Sequence, residues 1–275
     1  MGKLDGRVAI VTGSGRGIGR EIVRKLAADG ARIVVNDIDE APASETVALL
    51  RDMGSEAIAC VGDVAAPDFG ERIVRQTLGH FGDLHIIVNN AGYIWNTTIQ
   101  KTTDEQWYAM LDVHATGPFR LLRAAAEHIR SAAKSEAAQG RPVMRKVVNV
   151  TSVSGVYGAA TQLSYAAAKT ALIGLTRTLC KEWGRYNVTV NAVGFGYIET
   201  RLTQAWGERK PTIDVGGRAL NVGLAPELIE EMRRLIPLGR GGTAAEAAGA
   251  VYLLCLPESD FISGQILIAS GGLTI

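Results

Sequence analysis

Tyr165 and Lys169 are the pair of side chains in this sequence best suited to acid–base chemistry. They lie four residues apart in an alanine-rich, helix-favouring stretch, so both project from one helical face. A phenol alone titrates at about pH 10, but a neighbouring cation stabilises the phenolate and lowers its pKa. Ser152 precedes Tyr165 by thirteen residues, and its hydroxyl could bind the same substrate oxygen. The pattern predicts a proton-transfer site; the alternative is a chance pair on a solvated helix face.

A second chemical pattern lies near the start of the chain. The apolar, β-branched run at 8–11 predicts a buried parallel strand, and 20–27 has the periodicity of a helix. Between them the glycines follow the spacing GxxxGxG, which presents free backbone N–H groups and a positive helix end to a diphosphate. A tight turn without a ligand is the alternative. Nucleotide binding is favoured because a second predicted strand, 32–37, ends on an acid at the expected offset.

Taken in order, these landmarks resemble the short-chain dehydrogenase/reductase family from Gly6 to Gly272. The motifs that carry the resemblance are the TGxxxGxG turn at 12–19, Asp37, Asp63-Val64, Asn89-Asn90-Ala91-Gly92, Ser152, Tyr165, Lys169 and the segment 191–200. The resemblance implies an α/β fold with one Rossmann-type domain over 1–275, built on a doubly wound parallel sheet of about seven strands with helices on both faces. It also implies an NAD(P)-dependent enzyme that interconverts a secondary alcohol and a ketone.

The remainder of the chain independently predicts a parallel sheet, because strands alternate with helices across short joins. Further strands are predicted at 57–61, 84–88, 145–150, 188–193 and 265–269. Each chemically suggestive residue follows a strand or lies on the next helix, and ligands bind at that carboxyl edge. The polar segment 131–141 is predicted to be a surface extension, with contact to a neighbouring subunit as the alternative.

Composition excludes several classes of function. The chain has 275 residues, 47% of them hydrophobic, and a net charge of +1, which predicts neither a nucleic-acid nor an anionic-membrane partner. Its three cysteines are widely separated, which fits reduced thiols in the cytoplasm. No apolar run suits a signal peptide or a membrane span, so we expect a cytoplasmic protein. The four histidines show no metal-ligand spacing, and we expect no metal.

The resemblance implies a set of dinucleotide contacts. They are Gly13, Ser14, Arg16, Gly17, Ile18, Gly19, Asp37, Ile38, Asp63, Val64, Asn90, Ala91, Gly92, Tyr165, Lys169, Gly196, Ile198 and Thr200. Asp37 would bind both ribose hydroxyls and repel a 2′-phosphate, which favours NAD. NADP with Arg16 as the phosphate reader is the alternative. Asp63 would bind the adenine amino group, or it could instead be a helix N-cap.

Two positions depart from the family pattern. His114 replaces an asparagine that, in the family, holds a water through a backbone carbonyl and connects the lysine to solvent. Imidazole also donates and accepts hydrogen bonds, so His114 either takes over this catalytic relay or is a packed helix histidine. Phe195-Gly196 replaces the usual Pro-Gly beside the nicotinamide, which puts the local backbone shape in question.

The resemblance also implies a mechanism. Ser152 and Tyr165 would hold the substrate oxygen, Tyr165 would transfer the proton, and Lys169 would lower the phenol pKa and bind the nicotinamide ribose. Residues 201–238 would form a mobile, apolar substrate lid, facing a wall at 93–95.

The pattern is closest to 3-oxoacyl-thioester reductases and 3-hydroxyacyl-CoA dehydrogenases. A dehydrogenase of hydroxysteroids or other lipophilic alcohols is the first alternative, and a non-catalytic dinucleotide-binding regulator is the second. Relatives commonly form homotetramers, which we expect here through the helices that carry Tyr165 and His114 and through the C-terminal strand.

Overall fold

The computed structural model describes residues 2–207 and 209–273 as an α/β fold. Its strands are β1 (Val8–Val11), β2 (Arg32–Val35), β3 (Ala57–Ala59), β4 (Ile86–Asn89), β5 (Arg145–Ser152), β6 (Val188–Phe195), β7 (Ile198–Glu199), β8 (Thr212–Val215), β9 (Arg218–Asn221), β10 (Gly242–Thr243) and β11 (Ile266–Ala269). Its helices are α1 (Gly17–Ala28), α2 (Glu40–Asp52), α3 (Phe69–Phe81), α4 (Asp104–Leu111), α5 (Gly117–Ala138), α6 (Val153–Tyr157), α7 (Leu163–Trp183), α8 (Pro226–Leu235) and α9 (Ala244–Leu253).

Seven parallel strands form the central sheet in the order β11-β6-β5-β4-β1-β2-β3. This confirms the predicted doubly wound sheet. Strand β1 lies between β2 and β4. Strands β2 and β3 extend the sheet on one side of β1, and β4, β5, β6 and β11 extend it on the other side, so the strand order reverses at β1. The carboxyl ends of strands diverge at such a reversal and leave a crevice for a ligand.

The sheet is buried on both faces because its strands are apolar at every position rather than at alternate ones. In β1, Ala9 and Val11 pack into a core beneath α1, α2 and α9. Val8 and Ile10 point to the opposite face, into a core beneath α3, α5 and α7. All four side chains are completely buried, and at about 25 cal/mol per Å² this burial is the main term that holds the layers together.

The predicted strand bounds differ from the observed ones mainly where the site begins. Strand β2 ends at Val35, two residues early, because Asn36 and Asp37 turn toward their neighbours. Strand β5 continues to Ser152 and β6 to Phe195, so both carry their last residues into the crevice.

The predicted surface extension at 131–141 is mostly the end of α5, which continues to Ala138. Arg145, the first residue of β5, is almost fully buried and donates two hydrogen bonds to Glu136, of 2.7 and 2.9 Å. It also pairs with Asp83 at 3.2 Å. The segment therefore has a structural role, since Glu136 supplies a carboxylate that a buried guanidinium requires.

The predicted lid, 201–238, contains the antiparallel hairpin β8–β9 and the helix α8. Gly216 and Gly217 turn the hairpin with φ of +59° and +83°, which glycine adopts without strain. Ile213 and Leu220 are buried in the core beneath α3, α5 and α7. The hairpin was not predicted. In the described part of the chain, we find no helix with the length and apolar character to span a bilayer.

Candidate active site

A cleft of about 980 Å³ opens at the carboxyl edge of the sheet. Its size is at the upper end of what small-molecule sites occupy, about 300–1,000 Å³. Every predicted site residue lines this cleft except Ser14. Motifs that are far apart in the sequence therefore line one continuous surface. It extends from the glycine turn at one end of the cleft to Ser152 and Tyr165 near the other end.

The glycine turn forms the floor of one half. Helix α1 begins at Gly17 with no side-chain cap and no acidic residue in its first turn, so its N–H donors face the cleft. Gly13 has a φ of +62°, and a Cβ there would lie 2.7 Å from Cα of Ala91. A Cβ on Gly19 would lie 2.1 Å from the Gly13 carbonyl oxygen. This close packing of the turn accounts for glycine at both positions and leaves a cradle suited to a diphosphate.

Ser14 does not reach the cleft. It is fully buried, and its hydroxyl donates to the carbonyl oxygen of Val11 at 2.7 Å. Asn36, which sequence reasoning missed, holds the same turn from outside by accepting from the Gly13 N–H at 3.1 Å. Its Nδ2 donates to the carbonyl oxygens of Cys60 and Gly62 at 3.0 Å each. A polar residue directly after a buried apolar strand was the signal that could have identified it.

Asp37, the acid predicted to bind ribose, follows the end of β2 and lines the cleft. Asp37 is 6% exposed, and its Oδ1 accepts from the backbone N–H of Asp39 at 3.1 Å. Arg16 lies beside it with Nη2 3.4 Å from Asp37 Oδ1, and the same nitrogen pairs with the Asp39 carboxylate. Both acids therefore engage the guanidinium that would otherwise be free to bind a phosphate. Asp39 was not predicted to take part.

Asp63 is part of a turn rather than a helix cap. Its Oδ1 accepts from the backbone N–H of Ala65 at 2.8 Å. Helix α3 begins later, at Phe69, with Asp68 at its N-cap position. The alternative interpretation of Asp63 as a helix N-cap is therefore wrong, and its carboxylate lines the cleft beside Val64.

Thr12 joins the end of β1 to the end of β4 through hydrogen bonds, and it was not predicted as a site residue. Its hydroxyl accepts from the backbone N–H groups of Asn90 and Ala91, at 3.0 and 3.1 Å. The Asn90 Nδ2 returns hydrogen bonds to the carbonyl oxygens of Thr12 and Gly13, at 2.9 and 3.1 Å. These bonds tie the end of β1 to the end of the neighbouring strand β4.

The three predicted catalytic side chains come together in the other half of the cleft. Ser152 ends β5, and its Oγ accepts from the Ser154 N–H at 3.1 Å. Tyr165 and Lys169 project from the same face of α7. Lys169 Nζ lies 5.7 Å from the centre of the Tyr165 ring and donates to the carbonyl oxygen of Val150 at 2.7 Å. A proton donor, a second hydroxyl and an amine therefore share one part of the cleft.

The protonation of this group differs from the prediction. Burial raises the pKa of Tyr165 to about 12, and a hydrogen bond with Ser152 opposes that rise. Burial lowers the pKa of Lys169 to about 7. We predicted that the lysine charge would lower the phenol pKa, but removal of both groups from water is the larger effect here. At neutral pH the phenol holds its proton, and the amine is close to its titration midpoint.

His114 lies directly beneath the tyrosine, in a π-helical turn at Asp112–Thr116 that joins α4 to α5. The imidazole is 1% exposed and meets the Tyr165 ring edge-on, with 5.1 Å between centroids. Its Nε2 lies 2.8 Å from the carbonyl oxygen of Tyr93, so Nε2 carries the hydrogen. Burial and the charge of Lys169 hold the pKa of His114 well below its usual value. The neutral imidazole therefore has an unprotonated Nδ1, which is buried and has no partner among the described residues.

Hydrogen bonds hold the segment after β6, which lacks the proline usual in the family. Gly196 donates its N–H to the carbonyl oxygen of Ala269 at 3.1 Å, and a Cβ at this position would lie 2.8 Å from Cβ of Ser270. Thr200 accepts from the Leu202 N–H at 3.2 Å and donates its own N–H to the Thr203 hydroxyl at 2.9 Å. Sheet hydrogen bonding and a threonine turn replace the rigidity that proline would provide.

The cleft walls predicted to face a substrate are mostly apolar. Leu228, Met232 and Leu235 of α8 line one side, and Tyr93 and Ile94 line the cleft beside the end of β4. Trp95 was predicted to belong to that wall, but it packs against the core beneath α3, α5 and α7. One polar residue that was not predicted, Gln162, also lines the cleft.

A dinucleotide fits the residues on both sides of this cleft. The glycine cradle and the uncapped end of α1 suit a diphosphate, and the buried Asp37 carboxylate suits ribose hydroxyls. Lys169 and Tyr165 line the far end of the same cleft.

The sequence matches the family model for short chain dehydrogenases over residues 7–211. A 3-oxoacyl-[acyl-carrier-protein] reductase from Synechocystis is 34% identical over 277 residues, covering 100% of both chains. The solved gluconate 5-dehydrogenase of Burkholderia cenocepacia, in complex with NADP and tartrate, is 32% identical with a TM-score of 0.84, covering 98% of this chain and 96% of that chain. A 7α-hydroxysteroid dehydrogenase in complex with NADH and 7-oxo glycochenodeoxycholic acid is 26% identical with a TM-score of 0.84, covering 98% and 95%. Because the family model matches most of its length, the chain belongs to the short-chain dehydrogenase family and is an oxidoreductase.

Proposed function

We propose that the protein interconverts a secondary alcohol and a ketone, with a preference for NAD, on a lipophilic or acyl-thioester substrate. The observation that carries this proposal is the convergence of Ser152, Tyr165 and Lys169 in a cleft whose other half is a glycine cradle. A non-catalytic dinucleotide-binding regulator would not need all three of these side chains in one volume.

When bound, the nicotinamide dinucleotide supplies or accepts the hydride. Ser152 and Tyr165 hold the substrate oxygen, and Tyr165 gives its proton to that oxygen during reduction. The protonated phenol suits this direction, since its pKa is about 12. Lys169, fixed to the carbonyl oxygen of Val150, binds the nicotinamide ribose.

His114 is proposed as a positioning residue rather than as a group that touches the substrate. Its Nε2–H holds the carbonyl oxygen of Tyr93, and its ring supports the Tyr165 ring from below. Its Nδ1, which has no partner among the described residues, is the acceptor through which a proton relay to Lys169 would pass. This arrangement supports a role equivalent to that of the family asparagine.

NAD is favoured over NADP because a 2′-phosphate would meet two carboxylates. Asp37 lies at the ribose position, and Asp39 holds the Arg16 guanidinium together with it. Desolvated like charges repel strongly, whereas ribose hydroxyls donate to the same oxygens. NADP use would require Arg16 to leave both acids.

The substrate assignment rests on the apolar lining of α8 and on the names of relatives. Leu228, Met232 and Leu235 suit an acyl chain, and the 34% identical Synechocystis protein is a 3-oxoacyl-[acyl-carrier-protein] reductase. A hydroxysteroid or another lipophilic alcohol is the second candidate, because a rigid apolar body would fit the same wall. The relative solved with 7-oxo glycochenodeoxycholic acid supports that alternative.

We further propose a homotetramer in the cytoplasm. Apolar side chains that face solvent on α5, α7 and near β11, Phe119, Leu163 and Phe261, support subunit contacts through these elements. The three cysteines are free thiols, which supports a reducing compartment. Light scattering of the purified protein would test the tetramer directly.

The reaction is tested by mixing the protein with NADH or NADPH and a panel of ketones, with dinucleotide oxidation as the readout. We expect faster turnover with NADH and with 3-oxoacyl thioesters than with steroid ketones. Dinucleotide binding without turnover of any ketone or alcohol would contradict the proposed activity and favour the regulator.

A further inference from the structure

We infer that the hairpin tip, residues 214–219 of β8–β9, belongs to the dinucleotide site, where it closes over the adenosine half of the cleft and is held by the ion pair of Arg218 with Glu105. The inference rests on the dinucleotide site of the proposed function, which it deepens by adding an outer wall at the adenosine end. The ligands concerned are those that carry an adenosine diphosphate group, with or without a substrate.

The hairpin rests on the protein through one of its two faces. Residues opposite each other in an antiparallel pair share a face, so Ile213 and Leu220 lie on the same side as Val215 and Arg218. Ile213 and Leu220 are buried in the core beneath α3, α5 and α7, which anchors the base of the hairpin. The residues of the hairpin tip are all exposed or half-buried. The tip can therefore move while the base stays packed.

The hairpin tip reaches both sides of the crevice. Gly216 lies against Ile38, since a Cβ on this glycine would be 3.7 Å from Ile38 Cδ1. Arg218 lies beside Tyr93: burial raises the pKa of the Tyr93 phenol, and the charge of Arg218 opposes that rise. Ile38 follows β2 and Tyr93 follows β4, and these two strands flank β1, whose end carries the glycine turn. The tip therefore crosses the crevice over that turn.

This position assigns the hairpin tip to the adenosine rather than to the substrate. Ile38 directly follows Asp37, the acid proposed to bind the adenosine ribose, and Val215 and Gly216 line the same cleft. The apolar wall proposed for the substrate comes instead from α8. The segment 201–238 therefore contains two covers, the hairpin for the dinucleotide and α8 for the substrate.

The contact between the hairpin tip and α4 is a single exposed ion pair. Arg218 Nε donates to Glu105 Oε1 at 2.9 Å, and Glu105 lies in the first turn of α4. The Asp214 carboxylate accepts from the Gly217 N–H at 3.0 Å, which holds the turn itself together. An exposed ion pair is weak, so it suits a contact that must open each time a dinucleotide enters or leaves.

The test measures how fast bound ligands leave the protein. NADH release is followed by its fluorescence after displacement with excess ADP-ribose, and ADP-ribose release by displacement with excess NADH. Arg218→Glu places two carboxylates opposite each other, so the dissociation rate constants of both ligands should rise by at least about fivefold. At saturating NADH, KM for the ketone that is reduced fastest should change by less than about threefold.

Two variants separate the ion pair from other effects of the substitution. The double variant Glu105→Arg/Arg218→Glu restores the pair with reversed polarity and should return both rate constants to within about twofold of the wild type. Arg24→Glu makes the same change opposite Glu21, in an exposed pair of α1 with the same 2.9 Å separation. It should leave both rate constants within about twofold of the wild type.

Unchanged release of ADP-ribose by Arg218→Glu would overturn the inference, and a raised KM for the ketone in that variant would show that the hairpin covers the substrate instead. Faster release that the double variant does not restore would overturn the role of the ion pair. Release of ADP-ribose is measured without turnover, so a wild type that reduces no ketone would contradict the proposed activity alone. A wild type that binds neither NADH nor ADP-ribose would overturn both.

Discussion

Lys169 holds its amine 5.7 Å from the centre of the Tyr165 ring while hydrogen-bonded at 2.7 Å to the carbonyl oxygen of Val150. This bond ties α7 to β5, the strand that ends at Ser152. One anchored amine thereby fixes the positions of the two hydroxyl groups relative to each other. The contact between α7 and β5 therefore positions the Tyr165 and Ser152 hydroxyl groups for proton transfer without a bound ligand.

Removal of the Tyr165 hydroxyl should abolish proton transfer without disturbing this junction. Tyr165→Phe keeps the ring that packs against His114, so we expect kcat to fall by about 10²–10⁴-fold, the usual contribution of a positioned acid–base group. Dinucleotide affinity, measured by fluorescence titration, should stay within about threefold. Tyr157→Phe, at an exposed tyrosine of α6 that does not line the cleft, is the control. Near-normal turnover by Tyr165→Phe would remove Tyr165 from the chemistry.

The buried amine predicts how stability depends on pH. Burial lowers the pKa of Lys169 to about 7, whereas the unfolded chain has the usual value of 10.5. Between these values the unfolded state binds more protons, so the free energy of unfolding rises with pH from about 7 to 10.5. Lys169→Met removes this contribution and should flatten the rise, as measured by urea unfolding between pH 7 and 9.

The matched control for this measurement is Lys181→Met, an exposed lysine on the same helix, which should leave the slope unchanged. Parallel pH profiles for the wild type and Lys169→Met would show that Lys169 keeps its proton in the folded protein. Such a result would contradict the dominance of desolvation at this site.

Turnover should be largely retained when His114 is replaced by an amide side chain, but not when it is replaced by an apolar one. Its Nε2–H bond to the Tyr93 carbonyl can be supplied by an amide, so His114→Asn should retain turnover within about tenfold. His114→Leu leaves that carbonyl unpaired and removes the Nδ1 acceptor, and kcat should fall by about tenfold or more. Because the role is positioning, KM should change less than kcat. Equal activity of the two variants would show that His114 only fills space.

The sheet and the outline of the cleft were predictable because their signals are local. Each central strand is a short β-branched run buried on both faces, and each motif residue follows such a run. Parallel pairing brings the ends of these runs to one edge. The order of motifs along the chain was thus sufficient to place Asp37, Ser152 and Tyr165 around one crevice.

Other features depend on three-dimensional packing or carry a local signal that fits more than one structure. Ser14 looks like any residue of a phosphate-binding turn, yet its hydroxyl points inward to Val11. The pKa values of Tyr165 and Lys169 are set by how much water the fold excludes, which spacing alone does not report. The hairpin β8–β9 was missed because Gly216-Gly217 also suits a flexible lid.

Cofactor choice should be reversible through the two acids that hold Arg16. In the double variant Asp37→Ala/Asp39→Ala the guanidinium loses both partners and gains room to bind a 2′-phosphate. We expect the ratio of kcat/KM for NADPH to that for NADH to rise by at least about tenfold, equivalent to ~1.4 kcal/mol. The loss of the Asp37 hydrogen bonds to ribose contributes by weakening NADH.

Variants at Arg16 distinguish two explanations of a gain in NADPH use: binding of the 2′-phosphate by Arg16, and simple loss of repulsion from the two acids. Adding Arg16→Ala to the double variant should return the NADPH preference toward the wild-type ratio, because no cation then faces the phosphate. Arg16→Ala alone should change the NADH kcat/KM by less than about threefold, since Asp37 remains to bind ribose. If the triple variant kept the full preference for NADPH, repulsion by Asp37 and Asp39 would be the sole determinant. A wild-type preference for NADPH would instead show that Arg16 exchanges both carboxylates for the phosphate when the dinucleotide binds.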